Sequence, residues 1–261
     1  MSSLSASSLF HFTSSLENLL DILTNEFKPH YSVEDFSLIR ASWTSEPYIR
    51  CIPMVSFCDI PLAQTVAHMK TYGEYAIGLN KSWAMKKGIS PVVYAYPNST
   101  SSIALAGLLY LDLKSPLAGV KGAEAGIETI ETNLIDHGLR LMAFVKPYQG
   151  PFKRHGHADK EVRFYDEREW RFIPTALPEL PRIDPPDFVD ASKRNAVHAY
   201  LHGRIRLSFD PADIRYIIVS REAEILPIAY AIETIKAKYS VDERLLLTTR
   251  VISAEHIRDD F

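Results

Sequence analysis

Two glutamates at a spacing of two residues form the densest chemical signal in the sequence. Glu167 and Glu169 lie in the run Glu-Arg-Glu-Trp-Arg, inside a segment 161–173 that predicts a strand or a pair of strands. Because alternate residues of a strand face the same side, the two carboxylates are expected to project together. Such a pair can stabilise a developing cation or act as a general base. The alternative is a solvent-facing strand with salt bridges between its side chains.

A histidine between two phenylalanines supplies the second candidate. His11 lies in the run Leu-Phe-His-Phe-Thr at 9–13, whose alternation and composition predict a strand. Thr13 shares the strand face of His11, so the two could form a small hydrogen-bonding surface. Either imidazole nitrogen can bond a ligand hydroxyl. The alternative is a core histidine bonded to a backbone carbonyl.

Residues 56–59, Ser-Phe-Cys-Asp, could place Ser56 or Asp59 at the rim of a pocket. No histidine partner is specified for Cys58, and its thiol is expected to behave as a small buried hydrophobe. The chain has two cysteines, at positions 51 and 58, and no C-x-x-C pattern. A disulfide framework or cysteine-rich zinc site is therefore not expected, and a reducing cytoplasm fits.

The most basic loop of the chain covers residues 149–160 and contains Lys153, Arg154 and His155. With Tyr148 and Phe152 nearby, this loop could bind a phosphate or stack a nucleic-acid base, although a solvated loop is the default. The His-x-His pair at 155 and 157 is weak evidence for zinc, and no metal is predicted.

Length and composition narrow the class of protein. The chain has 261 residues, 46% of them hydrophobic and 23% charged, which is typical of a folded globular protein. The net charge is −3, so any contact with nucleic acid would have to come from a local basic patch. The N-terminus lacks the pattern of a signal peptide, and the most apolar stretch, 103–113, is shorter than the roughly 20 residues that span a bilayer. Neither a P-loop, nor G-x-G-x-x-G, nor H-E-x-x-H occurs. We therefore expect a cytoplasmic protein without a membrane partner.

The predicted elements mix strands and helices without strict alternation. Strands are expected at 9–13, 50–60, 75–79, 92–96, 140–146, 161–173, 204–209, 216–219 and 245–252. Helices are expected after Ser14 or Ser15, at 64–72, 81–86, 101–113, 124–136 and 222–238, and at the C-terminus. Residues 28–50 are predicted to be mostly loop. The mixture favours one α+β domain over 1–261, with an irregular proline-rich excursion at 174–200.

Taken together, five segments resemble the abortive-infection family AbiGi. They are 9–13, 52–62, 68–79, 167–171 and 213–219, and they span nearly the whole chain. The block Ile-Pro-Met-Val-Ser-Phe-Cys-Asp-Ile-Pro-Leu at 52–62 is the most specific of them. The resemblance implies a role in phage resistance, as the antitoxin-like half of a two-gene system, with a cognate toxin as partner. It implies no mechanism.

A weaker resemblance links the first strand and its capped helix to DarT-like DNA ADP-ribosyltransferases. It implies a split, mostly antiparallel sheet with flanking helices, and NAD as a substrate. The NAD-binding residues would be His11, Thr13, Ser56, Phe57, Tyr72 and Tyr75. Glu169 would stabilise the oxocarbenium-like transition state, with Glu167 as second carboxylate, and Lys153, Arg154 and His155 would contact the acceptor. The second strand differs from that of DarT, and the DarT arginine could match either Arg40 or Arg50.

Three functions stay open at this point. The first is an NAD-dependent ADP-ribosyltransferase that modifies nucleic acid or protein during phage infection. The second is a catalytically silent antitoxin or partner-binding component with the same fold. The third is a metal-dependent nuclease that uses Asp59, Glu167 and Glu169.

Overall fold

The computed structural model describes residues 6–40, 47–113, 137–152, 160–176 and 179–260. The helix predicted at 124–136 and the basic residues Lys153, Arg154 and His155 lie outside these ranges. No helix in the described ranges is long and apolar enough to cross a membrane.

A mixed sheet organises the described part of the chain. Its strands are β1 (Ser8–Thr13), β2 (His30–Asp35), β3 (Ile49–Cys58), β4 (Tyr75–Asn80), β5 (Ser90–Pro91), β10 (Glu169–Phe172), β11 (Ile214–Val219) and β12 (Val251–Ser253). The order is β12-β11-β4-β1-β3-β10-β5, with β2 also paired to β3. Among the described strands of this sheet, the β11–β12 pair is parallel and the other pairs are antiparallel. The α+β prediction with a mostly antiparallel sheet is confirmed.

Two smaller strand pairs lie outside this sheet. They are β6 (Val93–Ala95) with β7 (Val145–Pro147), and β8 (Gly150–Phe152) with β9 (Lys160–Val162). The helices are α1 (Leu16–Asn25), α2 (Ser37–Arg40), α3 (Thr65–Tyr72), α4 (Lys81–Lys86), α5 (Thr100–Leu113), α6 (137–142), α7 (Pro185–Val189), α8 (Ala191–His202), α9 (Ile225–Ile235), α10 (Val241–Thr248) and α11 (Ala254–Asp260).

Several predicted elements are confirmed where local signals are strong. Ser15 caps α1 by accepting a hydrogen bond from the Asn18 amide at 3.2 Å. The buried leucines of α1, Leu19 and Leu23, pack into the main core beside β1 and β4. Helix α3 ends at Gly73, whose φ of 109° favours glycine.

Other predictions are wrong because long-range pairing overrides a weak local pattern. Residues 28–50 were expected to be loop, but β2 pairs with β3 along its whole length, from His30 opposite Met54 to Asp35 opposite Ile49. Strand β3 runs without interruption from Ile49 to Cys58, and it pairs with β2 along its first part and with β10 and β1 along its second. At Pro53 the strand pairs with β2 on one side only, because the pairing with β10 ends at Val55. A proline is tolerated there because it has no N–H to donate to a second neighbouring strand.

Within the segment 174–200, residues 185–189 and 191–200 are helical instead of irregular. Asp184 precedes α7, and the prolines at 185 and 186 occupy its first turn, where a missing N–H costs no helical bond. Asp190 then caps α8 by accepting hydrogen bonds from the amides of Ser192 and Lys193.

Three predicted strands are also corrected. Residues 204–209 contribute only an isolated bridge between Phe27 and Leu207. The strand predicted at 140–146 begins as helix α6, and only Val145–Pro147 is extended. The strand predicted at 245–252 is mostly α10, which begins with a capping box between Ser240 and Glu243, and only β12 is extended.

Candidate functional site

A cleft opens where the first and third strands diverge. Strand β1 is paired with β4 along its whole length, whereas it pairs with β3 only at Phe10 opposite Cys58. Beyond that point lies a cavity of about 650 Å³. Its polar lining includes His11, Ser32, Glu34, Asp35, Ser56, His68, Tyr72, Lys146, Glu167 and Glu169, and its apolar lining includes Phe10, Phe12, Val33, Leu38, Ile49, Phe57 and Phe164.

Glu169, the first residue of β10, is the most highly bonded carboxylate of this cavity. The residue is 6% exposed. Its Oε1 accepts hydrogen bonds from Ser56 Oγ at 2.7 Å and Arg171 Nε at 2.8 Å. Its Oε2 accepts from Lys146 Nζ at 2.8 Å and Arg171 Nη2 at 3.2 Å. Burial alone would raise the pKa of Glu169, but Arg171 and Lys146 outweigh it and hold that pKa well below its ordinary range.

Arg171 anchors this ion-pair cluster from beneath the cavity. Its side chain is fully buried, and its three nitrogens bond Glu169, the Ala143 carbonyl at 2.8 Å and Glu34 at 2.8 Å. Burial opposes its charge, yet the two carboxylates raise the pKa of Arg171 above its usual value. A guanidinium suits this position because its planar fork can satisfy several acceptors at once.

Glu167 joins the same ion-pair cluster from a turn that the sequence did not predict. It ends a 3-10 turn, Phe164–Glu167, and Arg168 then adopts a left-handed conformation with φ 46° before β10 begins. The expectation that Glu167 and Glu169 share one strand face is therefore wrong. Both carboxylates nevertheless bond Lys146, at 2.6 Å for Glu167 and 2.8 Å for Glu169. Tyr72 donates to Glu167 at 2.5 Å.

His11 approaches the cluster from the other face of the sheet. Cys58 lies opposite both Phe10 and Glu169, so those residues share a face, and His11 belongs to the other one. The His11 ring packs edge-on against Phe27 and Phe57, with centroids 5.1 and 5.7 Å away. Its Nδ1 lies 2.8 Å from the carbonyl oxygen of Ser56. Because a carbonyl only accepts, Nδ1 carries the proton, which leaves Nε2 as an acceptor in the neutral ring. Burial lowers the pKa of His11, so this neutral form is favoured.

The remaining sequence-predicted residues divide into three groups. Ser56, Phe57 and Tyr72 line the cavity with His11 and the two glutamates. Thr13 and Tyr75 face each other at the far end of β1 and are not among the lining residues. The Tyr75 hydroxyl instead bonds Glu224 at 3.1 Å. The acceptor loop residues, Lys153, Arg154 and His155, lie outside the described residues.

The nuclease hypothesis is not favoured by the positions of its carboxylates. Asp59 forms a salt bridge with Lys81 at 2.7 Å and does not line the cavity. In the described ranges, no group of three or more histidine, cysteine, aspartate or glutamate side chains could hold a metal ion. Cys58 is buried, its pKa is raised by that burial, and its Sγ lies 3.4 Å from the Phe10 carbonyl. As expected from the sequence, Cys58 is a small core residue.

Three residues of the site escaped sequence reasoning. Lys146 and Glu34 line the cavity, and the Tyr94 hydroxyl accepts a hydrogen bond from the Glu169 amide at 2.8 Å. The one sequence signal for Lys146 was its charge within the otherwise apolar run 142–147. Glu34 lies in a segment with no clear periodicity, so only its pairing within β2 brings it to the site.

The described residues thus define an α+β protein whose divided sheet holds a cavity above a buried ion-pair cluster. Residues 25–220 match a family described as "abortive phage resistance protein AbiGi, antitoxin". The chain is also 28% identical over 256 residues to the abortive phage resistance protein AbiGi of Lactococcus lactis subsp. cremoris, covering 90% of this chain and 99% of that protein. No solved structure matches it. The chain belongs to the AbiGi family, which assigns it to abortive phage resistance and confirms the resemblance found in the sequence.

Proposed function

We propose that this chain is the antitoxin of an abortive-infection pair and that it neutralises a cognate toxin by direct binding. The family description supports the antitoxin role. The structural observation that carries the proposal is the state of Glu169, whose two oxygens are both bonded by cations. In this proposal, the cluster around Glu169 stabilises the fold and performs no chemical step.

The electrostatics of the cluster give the physical reason. A glycosyl-transferring carboxylate lowers its barrier by presenting uncompensated negative charge to a developing cation. The charge of Glu169 is instead matched by Arg171 and Lys146 within hydrogen-bond distance. Its depressed pKa also keeps it ionised, so it cannot serve as a general acid near neutral pH.

Co-expression tests the antitoxin proposal. The product of the gene beside this one is induced in bacterial cells alone, with the wild-type chain, or with His11→Gln. We expect growth arrest by the neighbouring product alone and rescue by both forms of this chain, with a complex that co-purifies. Arrest by this chain alone would contradict the proposal, as would failure of the folded wild-type chain to rescue.

A second candidate function, NAD-dependent ADP-ribosyl transfer, is favoured by one specific observation. His11 and Glu169 both bond Ser56, through its carbonyl and its hydroxyl, at the wall of one cavity. In this candidate, His11 Nε2 would accept a bond from a ribose hydroxyl and orient the ligand. Purified chain would then release nicotinamide from NAD, and His11→Gln, compared with wild type at a temperature where both are folded, would slow that release. Absence of NAD turnover by the folded chain, with or without its partner, would eliminate it.

A further inference from the structure

We propose that the cavity binds a small organic cation, with an amidinium, guanidinium or ammonium head group on an apolar body. This inference goes beyond the antitoxin role and does not depend on it. It rests on the charge, the unpaired polar atoms and the aromatic walls of the cavity.

The cavity carries an excess of negative charge. Its described lining contains four carboxylates, those of Glu34, Asp35, Glu167 and Glu169, but one lysine, Lys146. The charge of Lys146 is already matched by Glu167 and Glu169. Arg171, beneath the cavity, is shared between Glu169 and Glu34. Even with both cations counted, the carboxylates remain in excess.

The histidines of the lining do not change this balance. His11 and His68 have pKa values lowered by burial, so both are mainly neutral near pH 7. An anionic ligand such as a phosphate would therefore lose its hydration and face carboxylates without a spare cation from the described lining.

Asp35 and His68 provide polar groups that a cationic ligand could satisfy. Asp35 is solvent-exposed and accepts a bond from the Ser37 amide at 2.9 Å, and it forms no salt bridge with any described residue. The Nε2 atom of His68 is buried and has no hydrogen-bond partner among the described residues. An unsatisfied buried polar atom is unfavourable, so a ligand that donates an N–H to Nε2 would gain affinity by satisfying it.

The apolar walls suit the body of such a ligand. Phe10, Phe12, Phe57 and Phe164 line the cavity. Phe164 already faces a cation, because Lys146 Nζ lies 4.8 Å from its ring centroid. Aromatic faces attract cations electrostatically, so rings beside carboxylates favour a positively charged head group.

Two probes of the same shape distinguish the contribution of the ligand's charge to binding from that of its shape. Benzamidine carries an amidinium at neutral pH, whereas benzamide is its neutral counterpart, and ADP-ribose serves as the anionic probe. Binding to the full chain is measured by calorimetry at low and high salt. We expect benzamidine to bind at least about tenfold more tightly than benzamide, and to weaken as salt screens the carboxylates.

A variant locates the binding to this cavity. Asp35→Asn removes an exposed carboxylate without breaking a described ion pair, so it is expected to fold and to weaken benzamidine binding about threefold to tenfold. Asp242→Asn, which removes an exposed carboxylate from the first turn of α10, is the matched control and should bind benzamidine like wild type.

Three results would overturn the inference. They are equal affinity for benzamidine and benzamide, tighter binding of ADP-ribose than of benzamidine, and no benzamidine binding at millimolar concentration by the folded chain. The toxin-rescue assay uses none of these probes. A failure of cation binding therefore leaves the antitoxin proposal standing, and a failure of rescue leaves this one standing.

Discussion

His11 and Glu169 are joined through one intervening residue, Ser56. The His11 ring donates to the Ser56 carbonyl at 2.8 Å, and the Ser56 hydroxyl donates to Glu169 at 2.7 Å. The two side chains start from opposite faces of the sheet, so Ser56 couples the aromatic core around His11 to the ion-pair cluster around Glu169. A substitution at any of the three residues is therefore expected to alter the local structure of both regions.

The first prediction concerns the stability contributed by Glu169. Glu169→Gln keeps the size of the side chain but leaves Arg171 buried with one carboxylate fewer. Breaking one partner of a buried pair costs about 3–5 kcal/mol, and we expect a loss of that order in the free energy of unfolding. Urea unfolding measures it, with the exposed Glu179→Gln as control. A loss no larger than that of the control would show that the cluster does not stabilise the fold.

The second prediction concerns coupling between Glu169 and Arg171. Because the two side chains bond each other directly, Arg171→Met in the Glu169→Gln background should cost much less than Arg171→Met alone. A double-mutant cycle by urea unfolding gives the coupling energy, which we expect to be about 1–3 kcal/mol. Additive effects would mean that the pair contributes little as a unit.

The third prediction concerns three histidines that pack together where α8 meets β2. The ring centroids of His30, His198 and His202 lie between 4.5 and 5.8 Å apart. Burial, followed by repulsion between the rings, lowers the pKa of His198 to about 4, and burial lowers the pKa values of the other two. The unfolded chain, with pKa values of about 6.5, then binds more protons than the folded chain below pH 6.5. Stability should therefore be complete above that pH and fall as the pH drops toward 4.

Thermal unfolding at pH 7.5 and pH 5.0 checks this direction. The depressed pKa of Glu169 matters only below its unfolded value of about 4.5, so this window mainly reports histidines. We expect a lower melting temperature at pH 5.0, with a smaller difference in His198→Gln than in wild type. An identical difference in both proteins would remove His198 from the explanation.

The fourth prediction concerns the glycine that ends α3. Gly73 has φ 109°, and a Cβ placed there would lie 2.2 Å from the Thr13 carbonyl oxygen. Gly73→Ala should therefore destabilise the protein by about 1–3 kcal/mol and displace α3, which carries His68 and Tyr72. Gly88→Ala, at φ 71° but with open space around its Cβ, separates the backbone cost from the clash. Equal losses for the two variants would show that the contact with Thr13 is unimportant.

Sequence reasoning succeeded where a signal is local. The alternation around His11 predicted β1. A helix was expected after Ser14 or Ser15, and Ser15 caps it; the helix expected at 64–72 ends at Gly73. It failed where the signal is a pairing between distant segments. Glu34 reaches the site only because β2 pairs with β3, and the left-handed turn at Arg168, uncommon for a residue with a side chain, left no mark in the sequence.

The weaker resemblance implies that His11 and Glu169 act on one ligand. In the structure both residues line one cavity and bond Ser56, through its carbonyl and its hydroxyl. The two cations that match Glu169 were not foreseen as its partners. From the sequence, Arg171 was considered only as a member of the run 167–171, and Lys146 only as part of the strand expected at 140–146. These cations change the preferred interpretation from a catalytic carboxylate to a structural one.

The most direct test of the antitoxin account is growth of cells that carry the neighbouring gene product, this chain, or both. The account predicts arrest by the neighbouring product, normal growth with this chain alone, and equal rescue by wild type and His11→Gln. Arrest by this chain alone that His11→Gln abolishes, accompanied by loss of cellular NAD, would contradict it and identify the chain as the toxic enzyme.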